Sequence, residues 1–159
     1  MMRVIPPRSE PPWTPPIDPR SVVAPSRDIY AAMGEENIFA MLADFYVRLE
    51  TSSIRWMFAD DMREASRRSA AFFVGLLGGP PLYLERYGRP MMRARHLPFP
   101  IDPAARGIWL SLFLETLEDA PTRYRFPAQH LDGFKAFLDG FSAWMMNTAP
   151  TEADTPASP

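Results

Sequence analysis

The stretch Arg93-Ala94-Arg95-His96-Leu97-Pro98-Phe99, preceded by Gly78-Gly79-Pro80 and followed by Trp109, decides how this chain is read. His96 is one of only two histidines in 159 residues. Arg93 and Arg95 flank it on the N-terminal side and Pro98 follows two residues on, at the end of what reads as a short helix. An imidazole confined in this way offers a neutral nitrogen ligand, and guanidinium groups one and three residues away match planar carboxylates. Ligand and anion clamp then share one segment. A second reading stays open, because a histidine at a helix C-terminus also interacts favourably with the macrodipole.

Composition narrows the chemistry around that histidine. With 47% hydrophobic and 13% aromatic residues, the chain can bury the core of one domain. Its net charge of -2 leaves no nucleic-acid footprint. Lys135 is the only lysine, so the cations favour planar pairing. The absence of cysteine excludes disulfides, thiolate zinc sites, iron-sulfur clusters and thiol nucleophiles, so any iron must be held by nitrogen or oxygen. No apolar run reaches the roughly 18 residues of a membrane helix, and no charged stretch leads into an apolar one at the start. A cytoplasmic protein with no membrane partner is expected.

Eight of the nineteen prolines fall in residues 1–25. Pairs such as Pro6-Pro7, Pro11-Pro12 and Pro15-Pro16 remove backbone donors, so residues 1–27 read as an extended, disordered arm, with Trp13 as a docking anchor if the arm binds anything. Residues 148–159 read as a second solvated tail. A chain trimmed to 27–148 is therefore expected to fold like the full one. Between the arms, residues 28–147 read as all helix. Ser26 caps a first helix from Arg27 to Met33, and Gly34 stops it. Ile38, Leu42, Phe45, Tyr46 and Leu49 recur at helical spacing, and Ser53–Phe58 reads as a 3₁₀ turn. From Met62 to Leu77 the inward stripe is Ala65, Ser69, Phe72, Phe73 and Leu76. Gly78-Gly79-Pro80 ends that helix. Leu82–Tyr87 makes a turn or so, Asp102-Pro103 opens a helix running to about Asp119, and Pro127 opens the last one.

That order of landmarks resembles the group II truncated haemoglobins over roughly residues 29–147. The resemblance rests on Phe45-Tyr46, Gly78-Gly79-Pro80, Tyr83, Gly88-x-Pro90, Arg93-x-Arg95-His96-x-Pro98-Phe99-x-Ile101, and Trp109 thirteen residues beyond the histidine. It implies a two-over-two helical sandwich around haem b. In that family His96 resembles the proximal iron ligand, with its Nδ1 proton on a backbone carbonyl. Tyr46 and Trp109 resemble the distal hydrogen-bond donors to the bound ligand. Their bland reading is core packing with a polar tip. Phe58 resembles the aromatic wedge against the haem, Phe72 and Phe73 the lining, and Phe99 part of the proximal motif. Arg68, Arg95 and Tyr83 are the expected propionate partners, whereas Arg63 and Arg67 fit a solvated face. Ala65 stands where many globins place a distal histidine or glutamine. Ser69 departs from the larger residue, often leucine, that the family usually carries, and brings a hydroxyl towards the ligand. The family's first-turn glycine pair is reduced to Gly34. His130, at the start of the last helix, reads as a surface residue.

The resemblance implies a protein that binds dioxygen and other diatomic gases such as nitric oxide and carbon monoxide. An alternative is a redox enzyme at the same haem, dioxygenating nitric oxide or reducing peroxide with electrons from a separate reductase, because no Gly-x-Gly-x-x-Gly cofactor fingerprint occurs in this chain. A haem-based gas sensor is the third class; it would need an output module, and residues 1–27 are too short and proline-rich to be expected to form one. The expected state is a monomer or homodimer.

Overall fold

Gly34 separates the first two helices. Its φ of +83° suits glycine, its N–H closes the first helix on the Tyr30 carbonyl at 2.8 Å, and its own carbonyl accepts from Ile38 at 3.3 Å. The computed structural model describes residues 13–150, and in them chain order gives α1 (Ile29–Met33), α2 (Glu35–Glu50), α3 (Met62–Leu76), α4 (Leu82–Tyr87), α5 (Met92–His96), α6 (Pro103–Thr116), α7 (Ala120–Arg123) and α8 (Leu131–Met145). Short 3₁₀ turns occupy Pro19–Ser21, Arg55–Met57 and Ala128–His130. No strand occurs among the described residues.

The helices form two packed pairs, α2 on α3 and α6 on α8, with α2 also contacting α6. This is the two-over-two, all-α sandwich. Each of the four contributes one phenylalanine to a common cluster: Phe45, Phe73, Phe113 and Phe134. The Phe45 and Phe113 rings lie 4.3 Å apart, Phe73 and Phe113 5.6 Å, and Phe113 and Phe134 5.8 Å. Burying such a side chain contributes about 1.5–3 kcal/mol.

Helix α3 turns a different face to the core from the one its sequence suggests. Its buried residues are Met62, Ser66, Ala70, Ala71, Phe73 and Val74. Ala65, Ser69 and Phe72 are only half-buried, because their stripe borders a cavity. Small side chains at 66, 70 and 71 pack closely, which hydropathy periodicity underweights. The Gly78-Gly79 stop is likewise more than a terminator. A Cβ at Gly78 would lie 1.8 Å from the Arg27 carbonyl oxygen, and one at Gly79 would meet the Tyr30 ring at 2.6 Å. The chain entering α1 crosses the end of α3 there, and Tyr30 N–H donates to the Leu77 carbonyl at 2.9 Å.

Four local expectations are corrected. The first helix begins at Ile29, because the Ser26 hydroxyl instead accepts the Asp28 N–H at 3.1 Å, short of a full N-cap. Helix α6 ends at Thr116 and a separate α7 follows, since Pro121 has no N–H to continue the ladder. Pro127 opens a 3₁₀ turn before α8 begins at Leu131. Finally, the part of the N-terminal arm within the described residues lies on the domain: Pro15 and Pro25 are buried, Val22 packs against Gly140, and Trp13 N–H donates to the Asn147 carbonyl at 2.8 Å. Residues 1–12 and 151–159 lie outside the described residues.

Candidate functional site

A cavity of about 470 Å³ opens between the helix pairs. All twelve residues singled out from the sequence line it: Tyr46, Phe58, Ala65, Arg68, Ser69, Phe72, Phe73, Tyr83, Arg95, His96, Phe99 and Trp109. They arrive from α2, the loop before α3, α3, α4, α5, the loop after α5, and α6. Arg63 and Arg67 are exposed and absent from the lining, and His130 lies against Ser26, with Nε2 3.4 Å from the serine hydroxyl.

His96 is the best-defined group. Its Nδ1 lies 2.6 Å from the Met92 carbonyl oxygen one turn earlier in α5. A carbonyl can only accept, so that contact places the proton on Nδ1 and leaves the Nε2 lone pair available. Burial pushes the imidazole pKa below its ordinary 6.5, with the Met92 hydrogen bond acting the other way. The ring is therefore neutral at physiological pH.

Tyr46 is held as a phenol. Burial raises its pKa above 10, while the Ser69 hydroxyl opposes the shift. Its ring meets Phe58 edge-on at 5.8 Å, and Trp109 packs edge-on against Phe45 at 5.4 Å. Phe72 stacks on Phe141 of α8 at 5.8 Å, closing another wall.

The arginines at the edge are already engaged. Arg95 donates from Nε to the Pro90 carbonyl at 2.7 Å, and from Nη2 to those of Arg89 at 2.9 Å and Tyr87 at 3.1 Å, while its guanidinium lies 5.5 Å from the Tyr83 ring centre. It thus ties the α4–α5 loop to the segment carrying His96. Arg68 lies 4.9 Å over the Tyr87 ring and pairs loosely with Glu64 at 3.5 Å. Sequence reading missed Arg106 and Ser142, a second polar pair on the lining. Arg106 Nε donates to the Ser142 hydroxyl at 3.0 Å, and its Nη2 bonds the Asp139 carboxylate. Helical spacing signals Arg106, three residues before Trp109 on α6. Ser142 carries no comparable signal.

The model of the bacterial-like globin family matches residues 28–142. This chain is a bacterial-like globin. Within that family it belongs with the group 2 truncated haemoglobins: it is 40% identical over 90 residues to Group 2 truncated hemoglobin YjbI of Bacillus subtilis, covering 56% of this chain and 68% of that protein. The fold superposes on phosphate-bound Hell's gate globin IV with a TM-score of 0.76 at 35% identity, covering 85% of this chain and 84% of that one. It superposes on the truncated oxygen-avid haemoglobin from Bacillus subtilis with a TM-score of 0.68 at 33% identity, covering 74% and 98%.

Membership implies a haem cofactor and the binding of small diatomic gases such as oxygen. The cavity of this globin fits such a group. Its volume falls in the range of cofactor sites, its walls are mostly apolar and aromatic, one neutral imidazole nitrogen is free to ligate, and arginines stand at its edge. No helix among the described residues is long and apolar enough to cross a membrane.

Proposed function

We propose that this globin holds haem b through His96 Nε2 and binds dioxygen, nitric oxide or carbon monoxide, with Tyr46 and Trp109 as donors to the ligand. The observation that carries the reading is the 2.6 Å contact from His96 Nδ1 to the Met92 carbonyl, which fixes the ligating tautomer and the ring's rotation. A haem supplies an iron atom that binds diatomic gases. The chain supplies the rest. Phe58, Ala65, Phe72, Phe73 and Phe99 would exclude water, and Arg68 and Tyr83 would hold the propionates. Arg95 would offer them Nη1, since Nε and Nη2 make its three bonds to carbonyls. Tyr46 and Trp109 each carry a neutral N–H or O–H that donates to a ligand bearing partial negative charge, worth on the order of 1–3 kcal/mol apiece.

Absorption spectra of the purified ferric, ferrous, oxygenated and carbonyl forms test the cofactor and its ligation. His96→Gly should lose the haem or regain it only with added imidazole. A wild-type ferrous spectrum in that variant would reject the assignment.

A second reading is favoured by Ser69, which lines the cavity together with Tyr46 and whose hydroxyl, donating to the phenol oxygen, would make Tyr46 a stronger donor. Strong donors slow ligand release, which suits redox turnover better than delivery: dioxygenation of nitric oxide or reduction of peroxide, with a separate reductase as electron source. Tyr46→Phe and Trp109→Phe should each raise the dioxygen dissociation rate, tenfold for about 1.4 kcal/mol lost, and affect carbon monoxide less. If both leave dioxygen release within about twofold, below 0.5 kcal/mol, the paired-donor mechanism fails.

A further inference from the structure

We propose that Asn147, two residues beyond α8, is a positioning residue for His96, and that Arg93 acts with it. The inference rests on the reading that His96 is the iron ligand. Asn147 is fully buried at 0% exposure. Its Nδ2 donates to the His96 carbonyl at 3.2 Å and to the Phe99 carbonyl at 2.9 Å, and its Oδ1 accepts the Ile101 N–H at 3.0 Å. Its backbone N–H donates to the Ile101 carbonyl at 3.0 Å, and its carbonyl accepts from Trp13. One side chain therefore grips the loop that follows the histidine at three points.

Arg93, a residue of α5 itself, reaches to the same end of α8. Its Nε donates to the Trp144 carbonyl at 3.2 Å, and its Nη2 to the carbonyls of Trp13 at 3.0 Å and Met146 at 3.2 Å. The guanidinium also lies 4.9 Å over the Trp144 ring. Helix α5 is five residues long, too short to hold a direction by its own hydrogen bonds. Its last carbonyls have no partner within the helix, and that of His96 accepts both the Phe99 N–H at 2.9 Å and the Asn147 amide. The Met92 carbonyl sets the rotation of the imidazole ring, while Asn147 and Arg93 set where the whole turn stands relative to α8.

Only a neutral amide satisfies this site. Donors go to the His96 and Phe99 carbonyls and an acceptor to the Ile101 N–H, which is the two-ended chemistry of asparagine. Asn147→Asp keeps the shape and sets a carboxylate oxygen against two carbonyls.

Full-length holoprotein tests the proposal. The iron–histidine stretching band of the ferrous protein, read by resonance Raman, reports how the imidazole meets the iron. Haem transfer to an apo-globin acceptor reports its hold on the cofactor. Asn147→Asp should displace or split the band and speed haem loss roughly ten- to a hundredfold, the usual effect of removing a partner behind a metal ligand. Asn147→Ala should act in the same direction. Thr116→Val removes a buried hydroxyl that bonds the Leu112 carbonyl away from the cavity lining, and should leave the band in place while lowering stability. An unmoved band and unchanged haem loss in Asn147→Asp would overturn the proposal. If the Asn147 variants do not fold, Arg93→Met decides in the same way, a displaced band supporting the proposal and an unmoved one overturning it. A band that survives His96→Gly would instead sink the ligand assignment on which the inference rests.

Discussion

Ser69 reaches the Tyr46 phenol, and the direction of its effect matters. Either hydroxyl of this pair can donate, and where the serine donates it favours the phenolate, in line with the downward pull of Ser69 on the Tyr46 pKa. A phenol that accepts one hydrogen bond becomes a better donor in the next. Ser69→Ala should therefore weaken Tyr46 as a donor and raise dioxygen dissociation by roughly two- to tenfold, equivalent to about 0.5–1.5 kcal/mol. An unchanged rate would separate the serine from the ligand. Burial raises the Tyr46 pKa above 10, so the phenol remains protonated wherever a free tyrosine would. Dioxygen release should consequently stay flat from about pH 6 to 10 as far as this group is concerned, and Tyr46→Phe should shift that whole profile upward without changing its shape. Of the landmarks legible in the sequence, Tyr46, Tyr83, Arg95, His96, Phe99, Ile101 and Trp109 line the cavity, while Gly78-Gly79 and Arg93 serve crossings elsewhere in the fold. Asn147 was illegible. A single asparagine after the last helical stripe has no periodicity, and only the folded chain reveals that three backbone groups of a distant loop converge on it.

At the scale of elements, the helices were readable because apolar spacing, caps and prolines agree locally. What remained hidden was where one element crosses another. Gly78-Gly79 reads as a stop signal, yet its glycines are required by the Arg27 and Tyr30 crossing. Gly78→Ala combines a φ of +103° with a 1.8 Å approach to a backbone carbonyl, so it should cost about 3 kcal/mol or more. The denaturation midpoint should fall with an unchanged m-value, and a loss below 1 kcal/mol would mean the crossing can yield. Met91 shows the opposite case. This residue precedes α5 with φ of 38° and ψ of 51°, left-handed values that cost a side chain roughly 1 kcal/mol, and it is 63% exposed. Met91→Gly should be neutral or stabilising by up to about 1 kcal/mol, read from the same midpoint. A destabilised variant would show that the methionine side chain contributes contacts worth more than the strain.

The whole molecule differs most from its sequence in how the proline-rich segment is used. Composition argues for a solvated arm, because residues 1–27 cannot build a helix or a sheet of their own. It does not register that such a segment can be ordered by docking on a surface formed elsewhere. Trp13 bonds Asn147 and Arg93, Val22 lies against Gly140, and Pro25 is buried beside the start of α1. Gly140 is part of that fit, since a Cβ there would stand 3.3 Å from Val22 Cγ1. A chain starting at Arg27 would lose two hydrogen bonds to Trp13, at about 1 kcal/mol each, together with the apolar contacts of Val22 and the two buried prolines. The expected loss is on the order of 2–4 kcal/mol, or roughly 10 °C in Tm. Trp13→Ala in the full chain should reproduce only part of it, because the backbone carbonyl that Arg93 holds survives the substitution. Equal melting temperatures for the trimmed and full chains would show that the segment rests on the domain without stabilising it.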